Sequence, residues 1–144
     1  REGEGLGWEK KLRYAWEASR AFESLRYVGC GEGECLPMLV HNDVGASNLL
    51  FGRDGKVQLN DFNMGFLLYW NETSQDVCEV RNGYVCGENG QGLEVMSPEE
   101  CRDDVISEKV DTFGLGSLFY FLLANERPYR SEGLTEEEVR ERIR

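Results

Sequence analysis

The sequence predicts an α+β domain that is mainly α, and three observations predict it. Trp8 to Val28 places Trp8, Leu12, Ala15, Phe22 and Leu25 at three-, four- and seven-residue steps, one apolar stripe of a long helix. Leu49 to Phe51 and Lys56 to Leu59 are two short strand-like runs around "GRDG", where Asp54-Gly55 favours a tight hairpin. Val110 to Ala124, "VDTFGLGSLFYFLLA", is apolar almost all round, the pattern of a helix buried in the middle of a domain.

The remaining elements follow in order. Residues 1–7 are Gly-rich and charged and read as a linker or frayed end. "GEGLG" fails as a phosphate loop, because Trp8 stands where the last glycine belongs and no strand precedes it. Gly29 stops the first helix. Met38 to Val40 is a short apolar lead-in to His41. From Asn63 to Val95 the pattern dissolves among Gly83, Gly87, Gly90 and Gly92, which predicts a long loop or flexible insertion. Ser97-Pro98-Glu99-Glu100 opens a short helix, with Ser97 as cap and Pro98 in the first helical position. Leu134 to Arg144 is a polar helix starting near Thr135, whose Glu136, Glu137 and Glu138 suit a helix N-terminus.

The chain's 144 residues suffice for one domain with a core. A formal net charge of -11 argues against a nucleic-acid or anionic-membrane surface. The longest apolar run is too short for a bilayer, which needs roughly 20 residues, so no membrane segment is expected. Five cysteines at irregular spacing, Cys30, Cys35, Cys78, Cys86 and Cys101, do not read as a disulfide framework. Free thiols and a cytoplasmic location are the expectation. Cys30, Cys35 and His41 lack the spacing and the fourth ligand of a zinc site, and Asn71-Glu72-Thr73 is a sequon of the kind that arises by chance.

The chemistry lies in "LVHNDVGASNLLFGRDGKVQLNDFNMG", Leu39 to Gly65. His41-Asn42-Asp43, with Asn48 five residues after Asp43, resembles the catalytic loop H-R-D-L-x-x-x-N of protein kinases. Asp61-Phe62-Asn63 stands where that family has D-F-G, 18 residues after Asp43. Ser97-Pro98-Glu99 resembles A-P-E, and "DTFGLG" from Asp111 resembles the start of the family's buried central helix. Four motifs in the family's order cover the chain from about Trp8 onward. The resemblance is to the C-terminal lobe of a eukaryotic-type protein kinase over 8–144, with catalytic loop 41–48, activation segment 61–99 and central helix 110–124.

That resemblance implies ATP and Mg2+ as cofactors and a protein substrate. It implies Asp43 as acceptor of the substrate hydroxyl's proton, and Asn48 and Asp61 as magnesium ligands. His41 and Phe62 would stack in a spine linking two lobes, Asp111 would anchor the catalytic loop's backbone, and Glu99 would hold the end of the activation segment through an arginine. The glycine-rich loop and its lysine do not occur in the sequence, so an N-terminal lobe is expected upstream of Arg1, with the chain inactive alone.

Departures from the pattern keep other readings open. Asn42 replaces the arginine that pairs with an activation-loop phosphate. Gly45 stands where serine/threonine kinases carry a lysine, and Asn63 replaces a glycine whose left-handed backbone asparagine tolerates. Together they allow a pseudokinase acting as a binding or scaffold module. "HND…N" also occurs in small-molecule kinases of the choline kinase and aminoglycoside phosphotransferase type, which lack the other two motifs.

Overall fold

A computed structural model describes residues 6–25, 38–71, 73, 76–83, 86–87, 92–129 and 132–144. The first helix, α1, runs Trp8–Leu25, and the Gly7 carbonyl accepts from the Lys10 and Lys11 amides at its start. The expected continuation to Val28, the Gly29 stop, Cys30, Cys35 and residues 1–5 lie outside the described residues. The buried row of α1 is Lys11, Ala18, Phe22 and Leu25, which corrects the expected stripe. Trp8 and Leu12 are 66% and 61% exposed. Their place is taken by Lys11, whose Nζ donates to the Leu123 carbonyl at 3.1 Å. Its aliphatic stem is buried while its charge meets a carbonyl near a helix C-terminus.

Strands are short and pair two by two. Met38–Val40 (β1) pairs antiparallel with Phe66–Leu68 (β4), so the lead-in to His41 is itself a strand. Leu49–Phe51 (β2) and Val57–Leu59 (β3) form the hairpin, Leu49 facing Leu59. Its turn closes through Gly55 N–H to the Gly52 carbonyl at 2.9 Å, with Gly55 at φ +76°, where a side chain would be strained.

The expected structureless segment is corrected in part. Trp70–Asn71 (β5) pairs with Asp76–Val77 (β6), and Val80–Arg81 (β7) pairs with Val105–Ile106 (β8). Two-residue strands carry too little periodicity to be visible in a sequence. Between β7 and β8 lies α2, Pro98–Asp103, capped as expected by Ser97, whose hydroxyl accepts from the Glu100 amide.

Lys109–Ala124 forms α3 and Glu136–Ile143 forms α4. Thr135 caps α4 in a reciprocal box: its hydroxyl accepts from Glu138 N–H while the Glu138 carboxylate accepts from Thr135 N–H. Those bonds hold the Glu138 carboxyl below its ordinary range. Helix α3 is less enclosed than its composition predicts. Only Val110, Gly114 and Leu118 are fully buried, while Tyr120 and Leu123 are 44% and 43% exposed. No described helix is long and apolar enough to cross a membrane.

The described core has three clusters. Phe22, Leu25 and Val44 join α1 to the loop after β1, with Leu49, Leu59 and Leu115 around them. Val40, Leu68, Ile106 and Val110 join β1, β4 and β8 to the start of α3. Cys86, Met96, Cys101, Val139 and Ile143 tie α2 and α4 to the segment before them. Cys86 and Cys101 form a disulfide, which corrects the expectation of five free thiols. They stand 15 residues apart in the chain, yet the fold brings their Cα atoms to 4.7 Å, within bridging reach. Cys78 is a free thiol.

Candidate functional site

The loop from His41 to Asn48 begins where β1 ends and closes in a 3₁₀ turn, Ala46–Asn48, that leads into β2. It has almost no ladder of its own, so its main-chain donors need partners elsewhere. Asp111, in the first turn of α3, supplies two. Its Oδ2 accepts from His41 N–H and its Oδ1 from Asn42 N–H, each at 2.9 Å. Asn42 takes φ +58° there, a left-handed conformation that asparagine adopts more readily than most residues.

His41 is fully buried. Its Nε2–H donates to the Asn60 carbonyl at 2.9 Å and its Nδ1 accepts from Asp43 N–H at 3.3 Å, two bonds that fit one tautomer. Its ring lies 4.6 Å from that of Phe62 and 5.6 Å from that of Phe22. The imidazole therefore joins the loop, the chain after the hairpin and helix α1 at one point. Phe62 has its other side open, at 41% exposure.

Asn48 is buried and spends both N–H bonds on Asp43, reaching its main-chain oxygen at 2.9 Å and its Oδ2 at 2.8 Å. The Asp43 carboxylate is thus oriented by a neighbour five residues on while it keeps partial exposure. The hairpin returns the chain to the same place, because Asn60 N–H donates to the Asn48 carbonyl at 3.0 Å. Asp61 is exposed and stands between Asn60 and Phe62, both of which touch His41. Asp61 takes φ +63°, whereas Asn63 does not have positive φ. The left-handed residue expected at Asn63 is two positions earlier.

Glu99 sits on the first turn of α2, partly buried, and forms no ion pair among the described residues. The neighbouring Glu100, which sequence reasoning did not single out, is the buried acid. Its Oε1 accepts from the amides of Asn42 at 3.4 Å and Asn82 at 3.2 Å. Burial pushes its carboxyl up from 4.5 to about 7, against the pull of the amide bonds. No signal in the sequence separates two adjacent glutamates, one turned outward and one inward.

A cavity of about 230 Å³ opens beside Asp43. Its apolar wall includes Val44, Val95, Leu118, Phe121 and Pro128, and Arg127 borders it with its guanidinium 3.0 Å from Glu94. A larger hollow of about 420 Å³ between α1, β1 and α3 shares Phe22 and Asp111 with these residues. Among the described residues no group of three or more His, Cys, Asp or Glu could hold a metal ion by itself.

No family model matches the chain. It is similar to the LRR receptor-like serine/threonine-protein kinase ER1 of Oryza sativa subsp. japonica, 28% identical over 127 residues. It is similar also to the LRR receptor-like serine/threonine-protein kinases GSO2 and ERECTA of Arabidopsis thaliana, 27% identical over 136 residues and 26% over 127. These matches take in 88% to 94% of the chain. The chain spans about a tenth of the length of these curated relatives, 10% to 11%. Over most of its length, then, the chain is similar to one stretch of receptor-like serine/threonine kinases.

Proposed function

We propose that the chain is the C-terminal lobe of an ATP- and Mg2+-dependent protein kinase that phosphorylates protein hydroxyls, serine or threonine by likeness to its relatives. One observation carries this reading. The buried His41 ring bonds both the Asp43 amide and the Asn60 carbonyl next to Asp61, Asn48 donates to Asp43, and Asp111 accepts from the amides of His41 and Asn42, which supports a shared site for Asp43, Asn48 and Asp61. Phosphoryl transfer needs positioning and charge neutralisation more than covalent chemistry from the protein, and this loop is built for positioning.

The donor set fits a magnesium ion shared with phosphates. The Asn48 amide nitrogen is committed to Asp43, which leaves its carbonyl oxygen as the outward ligand. Asp61 adds an exposed carboxylate. Two hard oxygens without a cage are what Mg2+ takes when phosphates and water complete its shell. ATP, held with that ion, supplies the phosphoryl group. The Asp43 carboxylate, fixed by Asn48, accepts the proton of the acceptor hydroxyl, and the apolar cavity beside it receives the substrate chain. The reaction also requires ATP-binding elements beyond these residues.

The test is phosphotransfer by a polypeptide carrying this chain together with those elements. Asp43→Ala and Asp61→Ala should each lower turnover roughly a hundredfold or more, with folding checked by circular dichroism. Equal turnover in wild type and Asp61→Ala ends the proposal.

A second reading, a pseudokinase used as a binding module, is favoured by one observation. Arg127 is the one described cation bordering the Asp43 cavity, and it is paired with Glu94, while Gly45 offers no charge. Loss of a cation at the transferring phosphate slows transfer. A thermal-shift titration of the same polypeptide with ATP and Mg2+ separates the readings: no stabilisation at millimolar nucleotide supports the module, because a ligand bound only by the native state raises stability.

A further inference from the structure

We propose that Glu100 is a positioning residue for the loop His41–Asn48: its buried carboxyl, clamped between the side-chain amides of Asn42 and Asn82, ties that loop and the chain after β7 to helix α2 without a phosphate group. The inference rests on the phosphotransfer reading for what the loop does. The clamp itself stands on geometry.

Three stretches distant in sequence meet at one carboxyl oxygen. Asn42 comes from the loop after β1, Asn82 from the end of β7, and Glu100 from the first turns of α2. Asn82 is fixed in turn, since its N–H donates to the Asp104 carbonyl and the Asp104 carboxylate accepts from Gly83 N–H. Asn42 is fixed by Asp111. The clamp therefore connects the main chain that presents Asp43 to the C-cap of α2, through side chains rather than through a ladder.

Among the described residues the clamp has no cation. Glu100 forms no ion pair among the described residues, and its Oε2 and the Asn82 Oδ1 are buried there without a hydrogen-bond partner. Charged neighbours on the surrounding elements are mostly acids. They are Glu99 on α2, Asp104 at its C-cap, and Asp111 of α3 on the Asn42 amide. The guanidiniums of β7, α2 and α4 are engaged elsewhere: Arg81 on the Asp103 carbonyl, Arg102 on the Asp103 carboxylate, Arg140 on the Cys86 carbonyl and Glu136, and Arg142 on Glu132. An unpaired buried carboxylate is costly. A proton on Oε2 turns one orphan acceptor into a donor within a group that includes another. The upward push on the Glu100 carboxyl to about 7 agrees with that.

The sign follows. A carboxyl that holds its proton more tightly in the folded chain stabilises the fold at low pH, and that contribution is lost as pH rises from about 4.5 to about 7. Glutamine mimics the protonated acid, offering one acceptor and one donor without titrating.

The experiment follows urea unfolding and amide hydrogen exchange of the full chain from pH 5 to pH 8 in wild type, E100Q and E100A. The wild-type midpoint should fall across this range, and amides 43–48 should exchange faster toward pH 8 after correction for the intrinsic rate. E100Q should abolish both trends and restore the protection that E100A loses, about tenfold in exchange at those amides. A wild-type pH trend that persists unchanged in E100Q overturns the proposal, and so does wild-type exchange at 43–48 in E100A. Should E100A fail to fold, the E100Q comparison decides alone. Phosphotransfer is read separately. An intact clamp response beside absent phosphotransfer upholds the clamp and removes only the kinase reading.

Discussion

Two stretches of this chain, His41 to Asp61 and Trp70 to Ser97, are held in different ways. The stretch from His41 to Asp61 is held by the β2–β3 hairpin and by converging side-chain hydrogen bonds: Asp111, 70 residues from His41, on two amides, His41 on Asn60, Asn48 on Asp43. The described residues from Trp70 to Ser97 are held by two-residue strand pairs, one disulfide, the amide of Asn82 on Glu100, and bonds from Arg140 to the Cys86 carbonyl and from Ser117 and Arg127 to Glu94. The first arrangement fixes side-chain directions, because each bond names an atom. The second mostly fixes main-chain positions, because its strand pairs and the bonds of Arg140 and Ser117 end on backbone atoms. Asp43, whose carboxylate accepts from Asn48, lies in the first.

Removing the convergence should have the largest effect. Asp111→Ala leaves the amides of His41 and Asn42 without acceptors in a buried setting. At about 1–3 kcal/mol for each orphaned group, the variant should lose roughly 4 kcal/mol in urea unfolding. Asp111→Asn keeps one acceptor oxygen and should fall about halfway between. Equal stability of Asp111→Ala and wild type would show that the loop is held by packing alone.

The disulfide tests the other side of the comparison. Cys86→Ser with Cys101→Ser opens a loop of 15 residues, and chain entropy puts the loss near about 3 kcal/mol. Hydrogen exchange should place that loss in 86–101 and α4, whose Val139 and Ile143 share its cluster. The loop at 41–48 should keep its protection. If both regions loosen together, they form one unit, and the contrast between them fails.

What could be read beforehand follows the same division. Local signals were legible: the hairpin turn at Asp54-Gly55, the Ser97 cap, the Thr135 helix start. Long-range ones were legible only where a resemblance supplied them, as with Asp111, 70 residues from His41. The inward turn of Glu100, the Cys86–Cys101 bridge and the exposure of Trp8 and Leu12 were not legible. Each depends on which face of a short or amphipathic element meets a distant neighbour, and periodicity fixes a stripe without saying what packs on it. Lys11 is the sharpest case, since its burial follows from a carbonyl on α3 more than a hundred residues away.

The smallest expected effect probes how closely α3 seats the loop. Gly114 lies in the buried row of α3, and a Cβ built there meets the Val44 Cβ at 2.6 Å and its Cγ2 at 2.9 Å. Val44 follows Asp43 directly, so whatever moves it moves the carboxylate. Two terms oppose each other in Gly114→Ala. Helix propensity favours alanine by about 1 kcal/mol, and overpacking costs about 1–3 kcal/mol. The contact is too short for a rotamer change to relieve, because Cβ itself is involved. The variant should therefore be destabilised by roughly 1 kcal/mol net. Val44→Ala alone should also destabilise, by opening space in the Phe22 and Leu25 cluster. Combined, the new methyl at 114 occupies the space vacated at 44, so the double variant should be more stable than the two single effects predict. A double-mutant cycle in urea measures that coupling, expected at about 1 kcal/mol or more. Additive effects would mean that α3 and the loop do not share this contact, and that the hydrogen bonds of Asp111 rather than this packing tie α3 to the loop.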